Sequence, residues 1–409
     1  GETIFVHRGD GTTTGMDAGI VLKDQQRLLG EAVGLSIGVT ELIPAGGRPV
    51  ITNTGGNAVR FSGPTGEILG FTIDSPAADG INGLGVTDIL VEDNRIVRAA
   101  SEAIRLGNSN PAGDVTLVIQ GNSMFGNDGN TIVSTQEAME INVAGNGGGR
   151  LDLLVDGNGI DGFANGMLVL LEGSTGTGAG GANSVVITNN DIRDLGTDGI
   201  EIEPDDTAVS TVTLTGNTVD GIVNLVGLTP DRGLDFRVKS AAGGSTTATI
   251  SNNSFLDMEL EGALFIGSGT NNAGNLVTLV DNNTFANNGT SGLRVRPDDD
   301  QVFEFTVSGN TMTGNTDPTA FDFLTSVAAV LSLNILNNDD DVGFSLDLGP
   351  DGTTFNLAGT LGQGSSFDTD NGNVANNGNT TSGGAPTVST GNAGPSQFNI
   401  VDPATIATP

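Results

Sequence analysis

Two short patterns of hydrophobic positions alternate along most of the chain. The first reads apolar-x-apolar-x-x-Asn-x-apolar, as in VVITNNDI at 185–192. The second is a small residue followed by apolar-x-apolar, as in Gly199-Ile200-Glu201-Ile202. Because every second residue is apolar, each pattern predicts a short β-strand with one buried face. Nine copies of the first pattern alternate with nine copies of the second, so the chain is a repeat protein.

The first pattern centres on an asparagine that recurs every 27 to 36 residues. A constant motif at unequal spacing predicts loops of different length between strands of fixed position. Stacked asparagine amides at a corner would hydrogen-bond to one another and to backbone groups that are otherwise buried and unpaired. The nine asparagines of this expected ladder are Asn94, Asn122, Asn158, Asn190, Asn217, Asn253, Asn283, Asn310 and Asn338.

A parallel β-solenoid explains this repeat. One coil takes about thirty residues, no segment has a sustained helical period, and short strands joined by Gly, Asn and Asp are typical of such folds. The alternative, a set of β-sandwich domains, lacks the regularly spaced hairpin signals it would need. We therefore predict an all-β, right-handed parallel β-helix of about twelve coils.

Three segments are predicted along the chain. Residues 1–56 read as an N-terminal cap with irregular first coils, since an open solenoid end exposes core and strand edges. Residues 57–358 form the regular β-helix. Residues 359–409, rich in Gly, Asn, Ser and Thr, read as a linker or tail, with a last apolar patch at 398–401.

The composition excludes several functions. Lys and Arg total 15 against 49 Asp and Glu, a net charge of −34, which repels nucleic-acid phosphates. With no cysteine and one histidine, disulfide frameworks and Cys/His metal sites are excluded. The longest apolar run, at 167–171, is too short to insert into a membrane. Sixty-four glycines match a backbone with many tight corners.

The coil motif, Ile187-Thr-Asn-Asn-Asp-Ile followed by Gly199-Ile-Glu-Ile, resembles the right-handed parallel β-helix repeats of the pectate-lyase-like superfamily. The resemblance covers about 57–350. The opening, with Gly19-Ile-Val-Leu and Leu28-Leu-Gly-Glu, is similar to non-catalytic passenger and adhesin regions of bacterial surface proteins, including autotransporters. The superfamily also holds polysaccharide lyases and glycoside hydrolases, so the resemblance implies a fold and leaves function open.

Fragments of enzyme motifs occur without their companions. Thr197-Asp198-Gly199 and Arg237-Val-Lys239 resemble parts of the polygalacturonase site, but the Gly-His-Gly of that family is missing. Lys239-Ser240 resembles a lyase pair and likewise stands alone. Lyases need a base and a group that neutralises the substrate carboxylate.

The middle positions of the second pattern are expected to face outward, one per coil. Glu201 and Asp235 would then be neighbours at about 5 Å, close to the carboxylate separation of a retaining glycosidase. The competing interpretation is a solvated charged face, and no Trp or Tyr is present to stack a sugar. The predicted outward positions are Arg105, Glu140, Leu168, Glu201, Asp235, Phe265, Arg294, Asp322 and Ser345.

Acidic loops follow three of the second-pattern strands. One is Pro350-Asp351-Gly352, and the two richer in aspartate are Pro204-Asp205-Asp206 and Pro297-Asp298-Asp299-Asp300, with five aspartates between them. Pro-Asp is good turn chemistry in itself. Clustered carboxylates also suit Ca²⁺, so these five aspartates are candidate calcium ligands. No other cofactor is expected.

The sequence thus favours a non-catalytic extracellular β-helix rod, an adhesin or passenger at a bacterial cell surface, or a structural module. Its expected partners are a glycan or a ligand on a host or neighbouring cell, and it could associate end to end with itself. The alternative is a carbohydrate-active enzyme, a lyase or a hydrolase, acting near Glu201 and Asp235. Neither nucleic acid nor membrane insertion is expected.

Overall fold

The computed structural model describes two compact units, Gly1–Gly196 and Thr197–Pro409, here called unit 1 and unit 2. In both, the chain runs through three strands per coil, and each strand joins one of three parallel sheets, numbered 1 to 3 in chain order. The described residues are 1–13, 18–126, 136–145, 149–173, 175–177, 181–221, 232–240, 244–267, 274–298, 300–316, 321–324, 329–336, 338–340, 344–347, 354–358, 380–381, 387–389, 397–401 and 409.

Unit 1 contributes seven described strands to sheet 1. They are Thr3–Val6, Gln26–Gly30, Thr65–Leu69, Asp88–Glu92, Val115–Gln120, Leu151–Asp156 and Asn183–Thr188. Sheet 2 consists of Val50–Ile51, Thr72–Asp74, Arg95–Val97, Ser123–Phe125, Gly159–Asp161 and Asp191–Arg193. Sheet 3 consists of Ile20–Leu22, Val59–Phe61, Ile81–Leu84, Ile104–Asn108, Glu137–Val143 and Asn165–Leu171.

Unit 2 follows the same order. Sheet 1 holds Val209–Thr215, Ser245–Ser251, Asn275–Asp281, Val302–Ser308, Val330–Leu336, Thr354–Ala358 and Gln397–Val401. Sheet 2 holds Thr218–Asp220, Ser254–Leu256, Thr284–Ala286, Thr311–Thr313, Asp339–Asp340 and Thr380–Thr381. Sheet 3 holds Ile200–Asp206, Leu234–Ser240, Ala263–Gly267, Leu293–Arg296, Phe321–Leu324, Phe344–Asp347 and Thr387–Ser389.

Each unit is therefore a parallel β-helix, which confirms the predicted fold class; the right-handed turn stays a prediction. The first sequence pattern proves to contain two strands, because the chain bends at the asparagine and enters sheet 2. Outside the three sheets, unit 1 has one 3₁₀ turn, Glu31–Val33, and an antiparallel hairpin, Leu35–Ile37 with Thr40–Ile43. No helix among the described residues has the length and apolar character needed to span a membrane.

The predicted segment boundaries stay predictions, but two segments contain strands that join the coils. Within 1–56, Thr3–Val6 and Gln26–Gly30 pair in parallel in sheet 1. Within 359–409, Thr380–Thr381, Thr387–Ser389 and Gln397–Val401 pair with preceding strands of sheets 2, 3 and 1. The described strands of the last segment thus continue the β-helix of unit 2, where the sequence predicted a linker or tail.

Columns of apolar side chains fill the interior of each unit. The parallel register places every inward residue on its counterpart in the next coil, so branched side chains stack on branched side chains. In unit 1 one such buried column is Ile68, Val91, Ile119, Val155 and Ile187. In unit 2 the corresponding column is Leu214, Ile250, Val280, Val307 and Ile335. Phenylalanines also stack, with 5.4 Å between the ring centroids of Phe255 and Phe285.

The corner between sheets 1 and 2 is made by two residues. The residue before each of eight ladder asparagines has a left-handed backbone, which Gly, Asn and Asp tolerate best. This explains why the motif reads Gly-Asn, Asn-Asn or Asp-Asn. The left-handed residues are Asp93, Gly121, Gly157, Asn189, Gly216, Asn252, Asn282 and Gly309.

The asparagine that follows is buried and closes the corner with hydrogen bonds. The backbone N–H of Asn253 donates to Oδ1 of Asn283 at 2.9 Å, and its Nδ2 donates to the same oxygen at 3.0 Å. Nδ2 of Asn253 also donates to the carbonyl of Leu214 at 3.0 Å. The same bonds link Asn94, Asn122, Asn158 and Asn190 in unit 1, and Asn217, Asn253, Asn283, Asn310 and Asn338 in unit 2.

Replacing a core isoleucine by aspartate tests the inward assignment. Ile200 is fully buried and lies opposite Leu234, so Ile200→Asp should lower the free energy of unfolding by more than about 4 kcal/mol, because an unpaired carboxylate would lie among apolar layers. Denaturant unfolding followed by circular dichroism measures the loss. The control, Val39→Asp at a fully exposed position, should change stability by less than about 0.5 kcal/mol. Equal stability of both variants would contradict the assignment.

Removing one rung tests the ladder. Asn283→Ala deletes the acceptor for two donors of Asn253 and the donor to the carbonyl of Ile250, all of them buried. Since each buried unsatisfied group costs about 1–3 kcal/mol, we expect a loss of at least about 3 kcal/mol in unfolding free energy. The control is Asn275→Ala, at an exposed strand position, which should cost less than about 0.5 kcal/mol. A loss at Asn283 as small as at Asn275 would mean that the ladder contributes nothing.

Candidate functional site

Most residues in the middle positions of the sheet 3 strands are polar, and the strand register aligns these positions in a row. In unit 1, Arg105 pairs with Glu140 and Glu140 with Leu168, as expected. In unit 2 the row is Glu201, Asp235, Leu264, Arg294, Asp322 and Ser345. The structure thus brings Glu201 and Asp235 side by side.

The expected outward position of Phe265 is wrong. Phe265 is fully buried, stacks on Phe236 at 5.4 Å and meets Phe305 edge-on at 5.0 Å. The reason is a one-residue slip in reading the motif, which moves a side chain to the other face of a strand. Gly262, not Ala263, occupies the tight position before the strand, since a Cβ there would lie 2.7 Å from the carbonyl oxygen of Gly292. Leu264 therefore takes the outward place.

Three buried carboxylates meet on this face of unit 2. Asp198, Glu201 and Asp235 each place one oxygen within 4.8 Å of the other two. Their exposed fractions are 7%, 8% and 0%. Glu201 and Asp235 meet because they are paired in the register of neighbouring strands. Asp198 lies close to them because it precedes Gly199, just before the strand that carries Glu201.

Two arginines form ion pairs with the carboxylates of this group. Nη2 of Arg237 lies 2.6 Å from Oδ2 of Asp235, and Nη1 of Arg237 lies 2.8 Å from Oε1 of Glu201. Nη1 of Arg232 lies 3.0 Å from the same Oδ2 of Asp235. Oδ1 of Asp235 is buried and has no hydrogen-bond partner among the described residues. The guanidinium of Arg237 thus supplies the positive charge between the carboxylates.

Burial shifts the protonation of two of the acids. Burial, reinforced by the nearby Asp235 carboxylate, raises the pKa of Asp198 to about 7. Burial also raises the pKa of Glu201 to about 8; Arg237 opposes this shift, and Asp198, Glu203 and Asp235 add to it. Burial disfavours the charged form of Arg237, but the hydrogen bond and charge of Asp235 outweigh it and raise the pKa of Arg237. At neutral pH, Glu201 is therefore mostly a protonated acid.

The group extends over the following coils as a chain of ion pairs. Nε of Arg232 lies 3.1 Å from Oε2 of Glu261, and Nη1 of Arg294 lies 2.5 Å from Oε1 of Glu261. Nη2 of Arg294 lies 2.6 Å from Oδ2 of Asp322. At the other end, Nζ of Lys239 lies 2.5 Å from Oε2 of Glu203. Lys239, the residue of the lyase-like fragment, thus binds a neighbouring carboxylate of its own sheet.

We call this set the sheet 3 charge cluster. It contains six carboxylates and four cationic groups, linked by ion pairs of 2.5–3.9 Å. Its members are Asp198, Glu201, Glu203, Arg232, Asp235, Arg237, Lys239, Glu261, Arg294 and Asp322.

Sequence reasoning missed one column of this cluster, although a signal was present. A small residue opens each sheet 3 strand, and in eight successive coils the residue just before it is polar. Seven of these eight residues carry a charge or an amide, and the eighth is a serine. These residues stack, since the N–H of each following glycine in unit 2 donates to the carbonyl of the next member. The column is Asp79, Glu102, Glu137 and Asn165 in unit 1, and Asp198, Arg232, Glu261 and Ser291 in unit 2.

Unit 1 has a smaller acidic group in the same place. Glu102, Glu137 and Glu140 each place one oxygen within 4.8 Å of the others. Arg105 pairs with Glu140, with its Nε 3.1 Å from Oε2. Burial, together with a hydrogen bond to Glu102, raises the pKa of Asp79 to about 6. Buried carboxylates on sheet 3 are thus a feature of both units.

The predicted calcium ligands do not form one site among the described residues. Asp205 pairs with Lys239, and three strand steps of sheet 3 separate it from Asp298, about 14 Å at the strand spacing. The groups of three close carboxylates are the two described above, and none contains Asp205, Asp206, Asp298 or Asp300. Asp299 lies outside the described residues. Calcium binding at these loops stays a prediction.

Comparison of the chain with protein-family models, with curated proteins and with solved structures found no match. The resemblance to the pectate-lyase-like superfamily therefore rests on the repeat motif and on the parallel β-helix of each unit.

Removing Arg237 tests whether it holds the carboxylates together. Arg237→Met leaves the fully buried carboxylate of Asp235 with Arg232 alone and removes the hydrogen-bonding partner of Glu201, so the free energy of unfolding should fall by about 3–5 kcal/mol. The matched control is Arg27→Met, which breaks a more exposed pair with Glu67 and should cost less than about 1 kcal/mol. Denaturant unfolding of both variants gives the comparison, and similar losses would contradict a special role for Arg237.

Proposed function

We propose that this chain is a non-catalytic β-helix that serves as an extracellular surface module, an adhesin or passenger region of a bacterial cell. The state of Asp235 supports this most directly. Its side chain is fully buried, and its Oδ2 is held by Arg232 and Arg237 at 3.0 and 2.6 Å. A carboxylate that acts on a glycosidic bond must touch the sugar or its leaving group. Asp235 instead holds Arg237, whose Nη1 reaches Glu201 of the preceding coil.

The outer surface supports the same proposal. The chain has no Trp or Tyr with which to stack a sugar ring, and the one aromatic residue expected beside Glu201 and Asp235 is in the interior. A net charge of −34 keeps neighbouring molecules apart in a crowded surface layer. A surface module needs a stable apolar core and a charged surface, and it needs no acid–base pair.

Its partners follow from the same features. We propose a glycan or a ligand on a host or neighbouring cell as the binding partner, met along the polar outer faces. End-to-end self-association is the second proposed contact. Among the described residues, Thr3–Val6 ends sheet 1 of unit 1 and pairs only with Gln26–Gly30, so its other edge offers backbone donors and acceptors.

A carbohydrate-active enzyme is the second candidate, and one observation favours it. Glu201, with its pKa raised to about 8 by burial, is a protonated acid beside the carboxylate of Asp235. An acid and a carboxylate at this separation are the pair that a retaining glycosidase uses. The burial of both side chains and the two arginines on Asp235 weigh against this use.

An activity screen separates the two candidates. We expect no turnover of pectin, alginate or neutral glycans, measured by release of reducing ends and by absorbance of unsaturated products, because the side chains of both Glu201 and Asp235 are buried. A known lyase and a known hydrolase serve as positive controls. Turnover that Glu201→Gln or Asp235→Asn abolishes would establish the enzyme instead; turnover unchanged in both variants would indicate a contaminant.

A further inference from the structure

The sheet 3 charge cluster has an excess of two acidic groups. Six carboxylates face four cationic groups, and every ion pair of the cluster lies within unit 2. Three of the acids, Asp198, Glu201 and Asp235, are at least nine-tenths buried and within 4.8 Å of one another. A buried excess of negative charge is costly, because the low dielectric strengthens repulsion and water does not reach the groups.

The strand register places this excess negative charge between two neighbouring coils, where it opposes their pairing. Glu201 lies directly opposite Asp235, where like charges on paired strands oppose pairing. Arg237 is the link between them. It also lies 3.4 Å from Glu203 and 3.9 Å from Asp198, so one guanidinium serves four carboxylates. Arg232 is shared in the same way among Asp198, Asp235 and Glu261. The cations are therefore fully committed when all six acids are ionised.

The charged groups that face Glu201 and Asp198 come from each described element around them. Glu203 lies on the same strand as Glu201. Arg232, Asp235, Arg237 and Lys239 come from the next coil, and Glu261, Arg294 and Asp322 come one each from the three coils beyond. Two bound protons would bring this set to neutrality, since six carboxylates and four cationic groups leave a charge of −2.

We propose that the sheet 3 charge cluster is a pH-sensitive joint between strands Ile200–Asp206 and Leu234–Ser240: two protons shared by its buried acids keep these strands firmly paired, and loss of those protons in mildly alkaline solution loosens them. The joint is independent of the proposed surface function, because it concerns the stability of unit 2 and not a ligand.

The direction of the effect follows from linkage. Asp198 and Glu201 have pKa values of about 7 and about 8 in the folded protein, against ordinary values of 3.8 and 4.5. Between these limits the folded state binds more protons than the unfolded state, so stability falls as pH rises, and the loss is nearly complete by about pH 9, one unit above the pKa of Glu201 in the folded protein. This is the reverse of a salt-bridged carboxylate, whose stabilisation is lost in acid.

Thermal unfolding of the full chain at pH 6 and pH 9 tests the joint. The Tm of the wild type should fall by at least about 5 °C between the two. The double variant Asp198→Asn, Glu201→Gln replaces both acids by neutral side chains of the same shape, so its Tm should fall by less than half as much. The matched control is Glu304→Gln, half-buried on sheet 1 of unit 2, which should show the wild-type fall. A wild-type Tm equal at both pH values, or an equal fall in the double variant, overturns the proposal.

A second measurement needs no variant. Hydrogen–deuterium exchange of the wild type at pH 6 and pH 9, corrected for the intrinsic pH dependence of exchange, should show protection of 200–206 and 234–240 falling at least about tenfold. The reference is the sheet 1 strand Asn275–Asp281 of the same unit, whose protection should change less. An equal change in all three strands would mean that rising pH loosens unit 2 as a whole, and would overturn the joint.

Discussion

In a parallel β-helix each residue lies about 4.8 Å from its counterpart in the next coil, and most features of this protein depend on that one constraint. Stacking like on like is favourable for branched apolar side chains, because Ile68, Val91 and Ile119 bury one another. It is equally favourable for a carboxamide, which both donates and accepts. It is unfavourable for ionised carboxylates, which only accept and repel.

The asparagine ladder and the charge cluster are two ways in which polar residues stack on their counterparts in the next coil. Asn253 bonds to its counterpart Asn283 without help from other residues. Glu201 and its counterpart Asp235 need Arg237 between them, and Arg237 comes from two residues farther along the same strand as Asp235. Buried acids therefore persist only where a cation or a proton is available. In this protein the available cations are too few, and the protons supply the difference.

The sequence predicted the features that repeat and missed those that depend on neighbours. The ladder asparagines could be found because the same residue recurs at the same motif position. A second pair, Asn288 and Asn315, bonds in the same way, with 2.8 Å between Nδ2 and Oδ1, but two copies do not make a visible repeat. Phe265 was misplaced because Gly262 and Ala263 both suit the small position, and only the backbone contact with Gly292 decides between them. The sequence named Arg237 and Arg294 but not their ion pairs, because Glu201 and Glu261, with which they pair, lie on other coils.

The ladder also gives each unit a polarity. A rung such as Asn122 or Asn283 donates its backbone N–H and one N–H of Nδ2 to Oδ1 of the next rung on the C-terminal side, and its Nδ2 also donates to a backbone carbonyl of the preceding coil. The amide dipoles are therefore aligned along the stack and polarise one another. A coil on the C-terminal side of a rung must therefore offer an oxygen to the backbone N–H and Nδ2, and a coil on the N-terminal side must offer a carbonyl to Nδ2 and an N–H to Oδ1. At Asn94, the first rung of unit 1, the preceding coil meets both needs without a carboxamide: the backbone N–H of Phe71 donates to Oδ1 of Asn94, and Nδ2 of Asn94 donates to the carbonyl of Ile68. The direction of the ladder is thus set by backbone groups before any asparagine pairs with another.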